Sequence, residues 1–204
     1  MTETLEATGL AIDDATADRL FRTARTVTTY AETDVTDEQL AAVYDLIKWG
    51  PTSMNVSPLR MLVVRTPEAR QRLVANMPEG NQERVATAPV TLVLAYDPEF
   101  HERLDVLAPH MPGAREYFVG DDTARADAAR TNALLQAGYL VVGLRAAGLS
   151  AGPMHGIYDG IDAEFFGENG WKGFLVVNVS SAEGSDTSRP RAPRLGFDEV
   201  AQVV

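Results

Sequence analysis

The chain has 204 residues, no cysteine and a formal net charge of −11, with 45% hydrophobic and 23% charged side chains. That length supports one globular core without covalent staples, and the lack of thiols excludes disulfides, thiolate metal sites and cysteine nucleophiles. The acidic balance argues against nucleic acid as a partner, because phosphate backbones are met by basic surfaces.

Residues 1–14 carry neither the basic start nor the apolar run of a signal peptide, and are expected to form a flexible N-terminus ahead of a single domain over 15–204. A helical spacing begins near Ala15 and carries Leu20, Phe21 and Ala24. Thr36 is a good N-cap for a second helix, with Asp37 and Glu38 in the first turn and Leu40, Val43, Tyr44 and Ile47 along its body. Gly50-Pro51 ends it. The loop that follows, Pro51-Thr52-Ser53-Met54-Asn55-Val56-Ser57-Pro58, packs hydroxyls and an amide between two prolines. It reads either as a ligand loop or as an ordinary polar connection.

Residues 61–64 read as a buried strand, 67–77 as a short charged helix and 90–96 as another buried strand. The segment 101–120 is the least patterned, and suits an active-site cover or an irregular insertion. A long helix is predicted over 121–148, almost wholly apolar from 133 to 144, where Ala137, Gly138 and Gly143 allow close approach. Such a helix is buried in a core or at a subunit interface. The apolar run 139–144 is far shorter than the ~20 residues of a membrane span, so a membrane is not an expected partner and a cytoplasmic setting is. Residues 174–179 supply a further strand. Arg189-Pro190-Arg191-Ala192-Pro193-Arg194 then forms a basic strip that suits one bound anion or a solvated linker. The class is mixed α+β without repeats.

Several motifs fail on context. Gly148-Leu149-Ser150-Ala151-Gly152 matches G-x-S-x-G, but the serine follows a helix and precedes Pro153, which is the reverse of a nucleophile elbow. No G-x-G-x-x-G follows a strand and no P-loop appears. His101, His110 and His155 show no ligand spacing, so no metal site is expected. Asn55-Val56-Ser57 and Asn178-Val179-Ser180 are formal sequons without a secretory signal to give them meaning.

Four patches and the tail make one ordered set: Ala24-Arg25-Thr26, the 51–58 loop, Asn81-Gln82-Glu83-Arg84, and Gly152-Pro153-Met154-His155-Gly156, followed by the arginines. Their i, i+3 spacing would put Asn81 and Arg84 on one helical face, but alone they read as a solvated turn ahead of a strand. In this order the set resembles the FMN-dependent nitroreductase family over nearly all of 15–204. The phrases Lys48-Trp49-Gly50-Pro51-Thr52-Ser53, Thr87-Ala88-Pro89-Val90-Thr91 and Leu149-Ser150-Ala151-Gly152-Pro153-Met154 are similar to the group that holds the malonic semialdehyde reductase of pyrimidine degradation.

The resemblance implies a three-layer α+β fold with a central, mostly antiparallel sheet flanked by helices, and an intertwined homodimer whose flavin sites draw on both chains. It places Arg25, with Thr26 beside it, and Arg191 and Arg194 on the FMN phosphate, where guanidinium forks suit the anion. The family usually has another basic residue three positions after Arg25, where this chain has Thr28, which shifts the expected contact toward the tail. Pro51, Thr52, Ser53 and Asn55 join the cofactor set; Asn81 reads the pyrimidine edge of the ring, and Arg84 offsets charge at N1 and C2=O. Pro153, Met154, His155 and Gly156 lie near N5, with His155 a flavin neighbour or a proton donor to substrate. The implied activity is ping-pong hydride transfer from NADH or NADPH to a small oxidant. The leading oxidant is 3-oxopropanoate, giving 3-hydroxypropanoate, with nitroaromatics and quinones as alternatives. A flavin-binding protein without turnover and the out-of-context serine hydrolase are the remaining readings.

Overall fold

Asp13 opens the described chain's first helix, α1 (Asp14–Ala17), its carboxylate accepting from the Thr16 amide at 2.7 Å. The structure, a computed structural model, describes residues 9–30, 34–182 and 190–204; residues 1–8 of the expected flexible arm and Arg189 of the basic strip lie outside the described residues. The first helix stops sooner than its spacing predicts. A π-turn over Asp18–Arg22 follows, and the Thr23 amide and hydroxyl both donate to the Asp18 carbonyl at 2.9 Å, closing the turn. Arg25 and Thr26 therefore lie in irregular chain beyond the helix.

α2 (Asp37–Ile47) carries the capping box that Thr36 announced, with Gln39 as its reciprocal partner. β1 (Leu59–Val64) begins two residues before the predicted strand, and α3 (Pro67–Val74) ends three residues before its predicted limit. α4 (Glu79–Thr87) puts Asn81 and Arg84 on a helix. After β2 (Val90–Tyr96), the unpatterned segment proves to be helical: a 3-10 turn over Phe100–Arg103, then α5 (Leu104–Leu107) and α6 (Ala114–Phe118). Phe100, Leu104, Ala108 and Phe118 close a small core of their own with Val56 and Ala129. α7 (Asp122–Ala146) runs nearly as predicted, capped by Asp121. The remaining elements are β3 (Leu149–Met154), α8 (Tyr158–Phe165), β4 (Lys172–Ser181) and α9 (Phe197–Val200).

Among the described residues the strands form one sheet in the order β1-β2-β4-β3, and each ladder is antiparallel. Alternate residues of β2 face opposite layers. Leu92 and Leu94 join Val177 and Val179 beneath Val43, Ile47, Leu140 and Leu144 of α2 and α7. Val93 and Ala95 join Val176 beneath Leu73, Val85 and Ile161 of α3, α4 and α8. The result is three layers, helix on sheet on helix.

Gly143 lets α2 lie against α7: a side chain there would run into Ile47 Cγ2. Gly138 meets nothing within 4 Å, so its predicted close approach is not made among the described residues. Nor is the apolar stretch of α7 wholly buried. Leu140 and Leu144 are covered, but Leu134, Leu135 and Tyr139 are 44, 52 and 45% exposed, and Leu46 on α2 and Trp49 after it are exposed too. Two layers can cover only one side of a helix that is apolar all round. Among the described residues, no helix is long and apolar enough to cross a membrane.

Candidate functional site

Five arginines from separate parts of the chain, Arg25, Arg84, Arg145, Arg191 and Arg194, line one cleft of about 1010 Å³. Thr26, Thr28, Thr29 and Tyr30 add hydroxyls, and Glu83 is its acidic residue. In a chain of net charge −11 this local excess of cations is a concentrated anion field.

β4 organises one wall. Asn178 stands opposite Thr91 on β2 and Gly152 on β3. Its side-chain oxygen accepts from the Thr91 hydroxyl at 2.7 Å, and its amide donates to the Tyr30 hydroxyl at 2.8 Å and the Arg84 carbonyl at 2.9 Å. A side chain on Gly152 would stand 3.5 Å from Thr26 Cγ2, so bare backbone brings β3 close to the early segment. Burial, partly offset by the Asn178 hydrogen bond and the charge of Arg84, holds the Tyr30 phenol above its ordinary pKa.

The tail is fastened to the same place. Arg191 donates to the Ala24 carbonyl at 2.7 Å, while Arg194 folds onto the Ala192 and Pro193 carbonyls at 3.1 and 3.0 Å. Arg145 escaped the sequence reading. It sits in the last turn of α7, where a cation normally answers the helix dipole, so its type and place attract no notice. One of its terminal nitrogens donates to the Leu20 carbonyl at 2.9 Å, and its Nε is closed off from solvent without a partner among the described residues. Burial, then the nearby Arg191, lowers its pKa.

Asn81 and the 153–156 segment meet beside the cleft rather than lining it. The Asn81 amide donates to the His155 carbonyl at 3.1 Å. His155 is exposed, with its ring edge-on to Tyr158 at 4.9 Å. Pro153 is exposed and Met154 half-buried, whereas Gly156 is buried. A side chain at 156 would stand 2.6 Å from Ile161 Cδ1, so the chain's own core demands that glycine.

The 51–58 loop does not join the arginine cleft within one chain. None of Pro51, Thr52, Ser53 and Asn55 lines it. The loop leaves α2 on the α7 side of the sheet and is tied there, the Ser53 amide donating to Asn132 Oδ1 of α7 at 2.8 Å and the Asn55 amide to the Leu107 carbonyl at 2.7 Å. Met54, Asn55 and Ser57 have φ of 51°, 54° and 40°, and are the non-glycine residues with positive φ among those described. Left-handed backbone of this kind is held only where surrounding bonds enforce it.

Two further expectations meet the geometry. Ser150 is buried on β3 with its hydroxyl 2.7 Å from that of Ser180, which removes it from any nucleophilic role. Glu99, His101 and Glu102 form a group with metal-ligand spacing that the sequence reading did not note. Both carboxylates are occupied: Glu102 takes a two-pronged contact from Arg115 at 2.7–2.8 Å, and Glu99 pairs with Arg125 at 3.1 Å. Asn178, 1% exposed and fully engaged, is no glycan acceptor in the folded chain.

Residues 21–178 match the family described as Nitroreductase family. A candidate NADH dehydrogenase/NAD(P)H nitroreductase of Streptomyces coelicolor is 49% identical over 196 residues, covering 96% of this chain and 99% of its own. A protein of Streptomyces griseus with the same description is 50% identical over 197 residues, with the same coverage. The structure of a candidate nitroreductase in complex with FMN from Exiguobacterium sibiricum superposes with a TM-score of 0.77 at 19% identity, covering 95% of this chain and 98% of that one. A candidate NAD(P)H:FMN oxidoreductase of Staphylococcus epidermidis gives 0.78 at 16%, covering 96% and 98%. At such identities the structural likeness speaks for the fold alone.

Proposed function

Because the chain belongs to the nitroreductase family, we propose that residues 15–204 form one FMN-binding domain that works, as a homodimer, as an NAD(P)H-dependent oxidoreductase. The observation that carries this reading is the convergence of Arg25, Arg84, Arg191 and Arg194, with Thr26, on one cleft. The donor set fits the cofactor: a phosphate dianion needs guanidinium forks, and a polyhydroxyl chain needs small neutral hydrogen-bonding groups. The names of the Streptomyces relatives support a nicotinamide donor.

When bound, FMN supplies a ring atom, N5, that takes a hydride from the nicotinamide and passes it to the oxidant. The chain's residues bind and bias. Arg191 and Arg194 hold the phosphate from the tail, and Arg25 from the early segment. Asn81, whose amide keeps a second N–H and a carbonyl oxygen beyond the bond to His155, reads the pyrimidine edge. Arg84 lies one helical turn further on, so its charge reaches the same edge, and its carbonyl is fixed from the sheet by Asn178. His155, exposed two residues after Pro153, would neighbour the flavin or give a proton to the oxidant.

Dimerisation is supported by the exposed apolar face of Leu134, Leu135, Tyr139, Leu46 and Trp49. The strained 51–58 loop is tied to α7, and a second copy on that face would carry its own Thr52, Ser53 and Asn55 toward the first chain's flavin. The finer oxidant in our reading is 3-oxopropanoate, supported by the likeness of the 48–53, 87–91 and 149–154 phrases to the malonic semialdehyde reductase group. The relatives' nitroreductase names favour a nitroaromatic as the second reading.

Anaerobic reduction of the yellow protein by NADH and by NADPH, followed by rapid mixing with each oxidant, tests all of this. Reoxidation by 3-oxopropanoate at least ten times faster than by a nitroaromatic or quinone is the expected result. A colourless protein, or one that nicotinamides do not bleach, would remove the assignment.

A further inference from the structure

Arg145 is held in a way that its neighbours do not satisfy. It lines the arginine cleft and also an adjoining hollow of about 560 Å³, which shares Ala24 and Arg25 with it and adds Arg19, Thr23 and Ser150. It thus stands at the junction of the two spaces. Its one protein hydrogen bond in the described chain is to the neutral Leu20 carbonyl, and its Nε–H is shut away from water without an acceptor. A guanidinium cannot shed its proton to escape such a setting. Buried donors left unmade carry the full cost of their desolvation.

A second cation makes the arrangement less favourable still. Arg191 is pinned nearby through its bond to the Ala24 carbonyl, and its charge adds to burial in lowering the pKa of Arg145. Both are anchored on backbone carbonyls, and neither forms an ion pair among the described residues. Two like charges fixed together at a cleft, one with an idle N–H, form a site that is complete only when an anion lies between them. Glu83 belongs to the same cleft but is exposed on α4 and pairs with neither.

We propose that Arg145 binds the phosphate of the cofactor, its terminal N–H groups forming a fork that closes on the phosphate opposite Arg191. This rests on the FMN reading above. It assigns the missing second cation of the early segment, where the chain has Thr28, to a residue more than a hundred positions later, at the end of α7. Positive charge at the phosphate is then supplied from three elements: the early segment, α7 and the tail.

The test uses flavin-free full-length protein and two ligands, FMN and riboflavin, which differ only in the phosphate. Arg145→Gln keeps a donor for the Leu20 carbonyl and removes the charge. It should weaken FMN binding roughly 10- to 100-fold, the range for a charge-assisted contact, while riboflavin affinity stays within about twofold. Arg145→Lys keeps the charge without the fork and should fall between parent and Gln variant; it also answers the question if the Gln variant does not fold. Equal losses for both flavins would show that Arg145 only supports the packing, and unchanged FMN affinity would show that it does not reach the phosphate; either result overturns the proposal. A parent protein that takes up neither flavin overturns the cofactor assignment itself, which is a different outcome from a parent that binds FMN tightly while the Arg145 variants bind it just as well.

Discussion

The side-chain amide of Asn178 donates to the main-chain carbonyl of Arg84 at 2.9 Å, so an inner strand of the sheet fixes the last turn of the helix that carries one of the cleft's five arginines. Backbone carbonyls at a helix end have no partner within the helix, and a buried amide from β4 supplies one here. Asn178 simultaneously holds Tyr30 and Thr91, which joins the early segment, α4 and the sheet through one side chain. Asn178→Ala strands the Thr91 hydroxyl and the Arg84 carbonyl in a dry interior and should destabilise the fold by about 2–4 kcal/mol. Urea unfolding measures that loss, and flavin titration of the variant should show weaker binding as α4 and Tyr30 loosen. A stability equal to the parent's would mean that water replaces all three bonds.

Arg84 itself should matter to redox more than to folding. It is exposed, and an exposed helix arginine seldom contributes more than about half a kcal/mol to stability. Positive charge beside the pyrimidine edge favours the more negatively charged reduced state of the flavin, so Arg84→Ala should lower the bound flavin's reduction potential and slow its reduction by NAD(P)H. Spectroelectrochemical titration decides the matter: an unaltered potential with FMN still bound places Arg84 elsewhere.

Leu135 tests the exposed face of α7. It is 52% exposed in the single chain, in the middle of an apolar stretch. Leu135→Asp would bury a carboxylate in any interface formed there, and should move the sedimenting species from dimer to monomer with loss of bound FMN. Retention of a flavin-loaded dimer by this variant counts against α7 as the interface.

Asp162 gives stability a pH dependence of known sign. Burial raises its pKa above the ordinary aspartate value of 3.8, against the opposing pull of the Gly173 amide at 2.7 Å and of Lys172. The folded state therefore holds this proton more tightly than the unfolded state does. Stability drawn from Asp162 is fully present below the unfolded value and is lost as pH rises from there through the raised folded value. Asp162→Asn, which can still accept from Gly173, should remove that decline, and the variant should gain on the parent as pH climbs from about 3.8. Parallel stability curves for the two proteins across that window would exclude the effect.

Legibility in the sequence followed the physics of each segment. Thr36 could be read because an N-cap is local chemistry, and β2 because a strand buried on both faces is a continuous apolar run. β3 was not read. It is an edge strand that pairs with β4 alone, so Gly152 and Pro153 are tolerated in it although both are signals against a strand. The 101–120 segment looked irregular because its helices are only four or five residues long and their core comes from Val56 and Ala129 elsewhere. At the site, Arg25, Arg84, Arg191 and Arg194 were singled out as patches that the fold brings to one cleft. Arg145 was missed because a lone arginine closing an apolar helix has an ordinary explanation, and Asn178 because a three-residue sequon was its only visible pattern. The loop residues Thr52, Ser53 and Asn55 made a polar cluster between two prolines, yet they do not line the cleft; a local pattern does not say where the fold carries it.

The strand order carries a consequence for how the protein is made. β4 is the last strand in sequence but lies between β2 and β3, so neither of those is paired on that side until residues 172–181 have left the ribosome. From the completion of β3 at residue 154 until β4 emerges, the nascent chain holds a β1–β2 pair with one open edge, an unplaced β3 and a long apolar helix, all of which offer surface to neighbouring chains. A growing polypeptide of this order is a natural client for ribosome-associated chaperones, and fragments truncated before β4 are expected in inclusion bodies rather than in the supernatant.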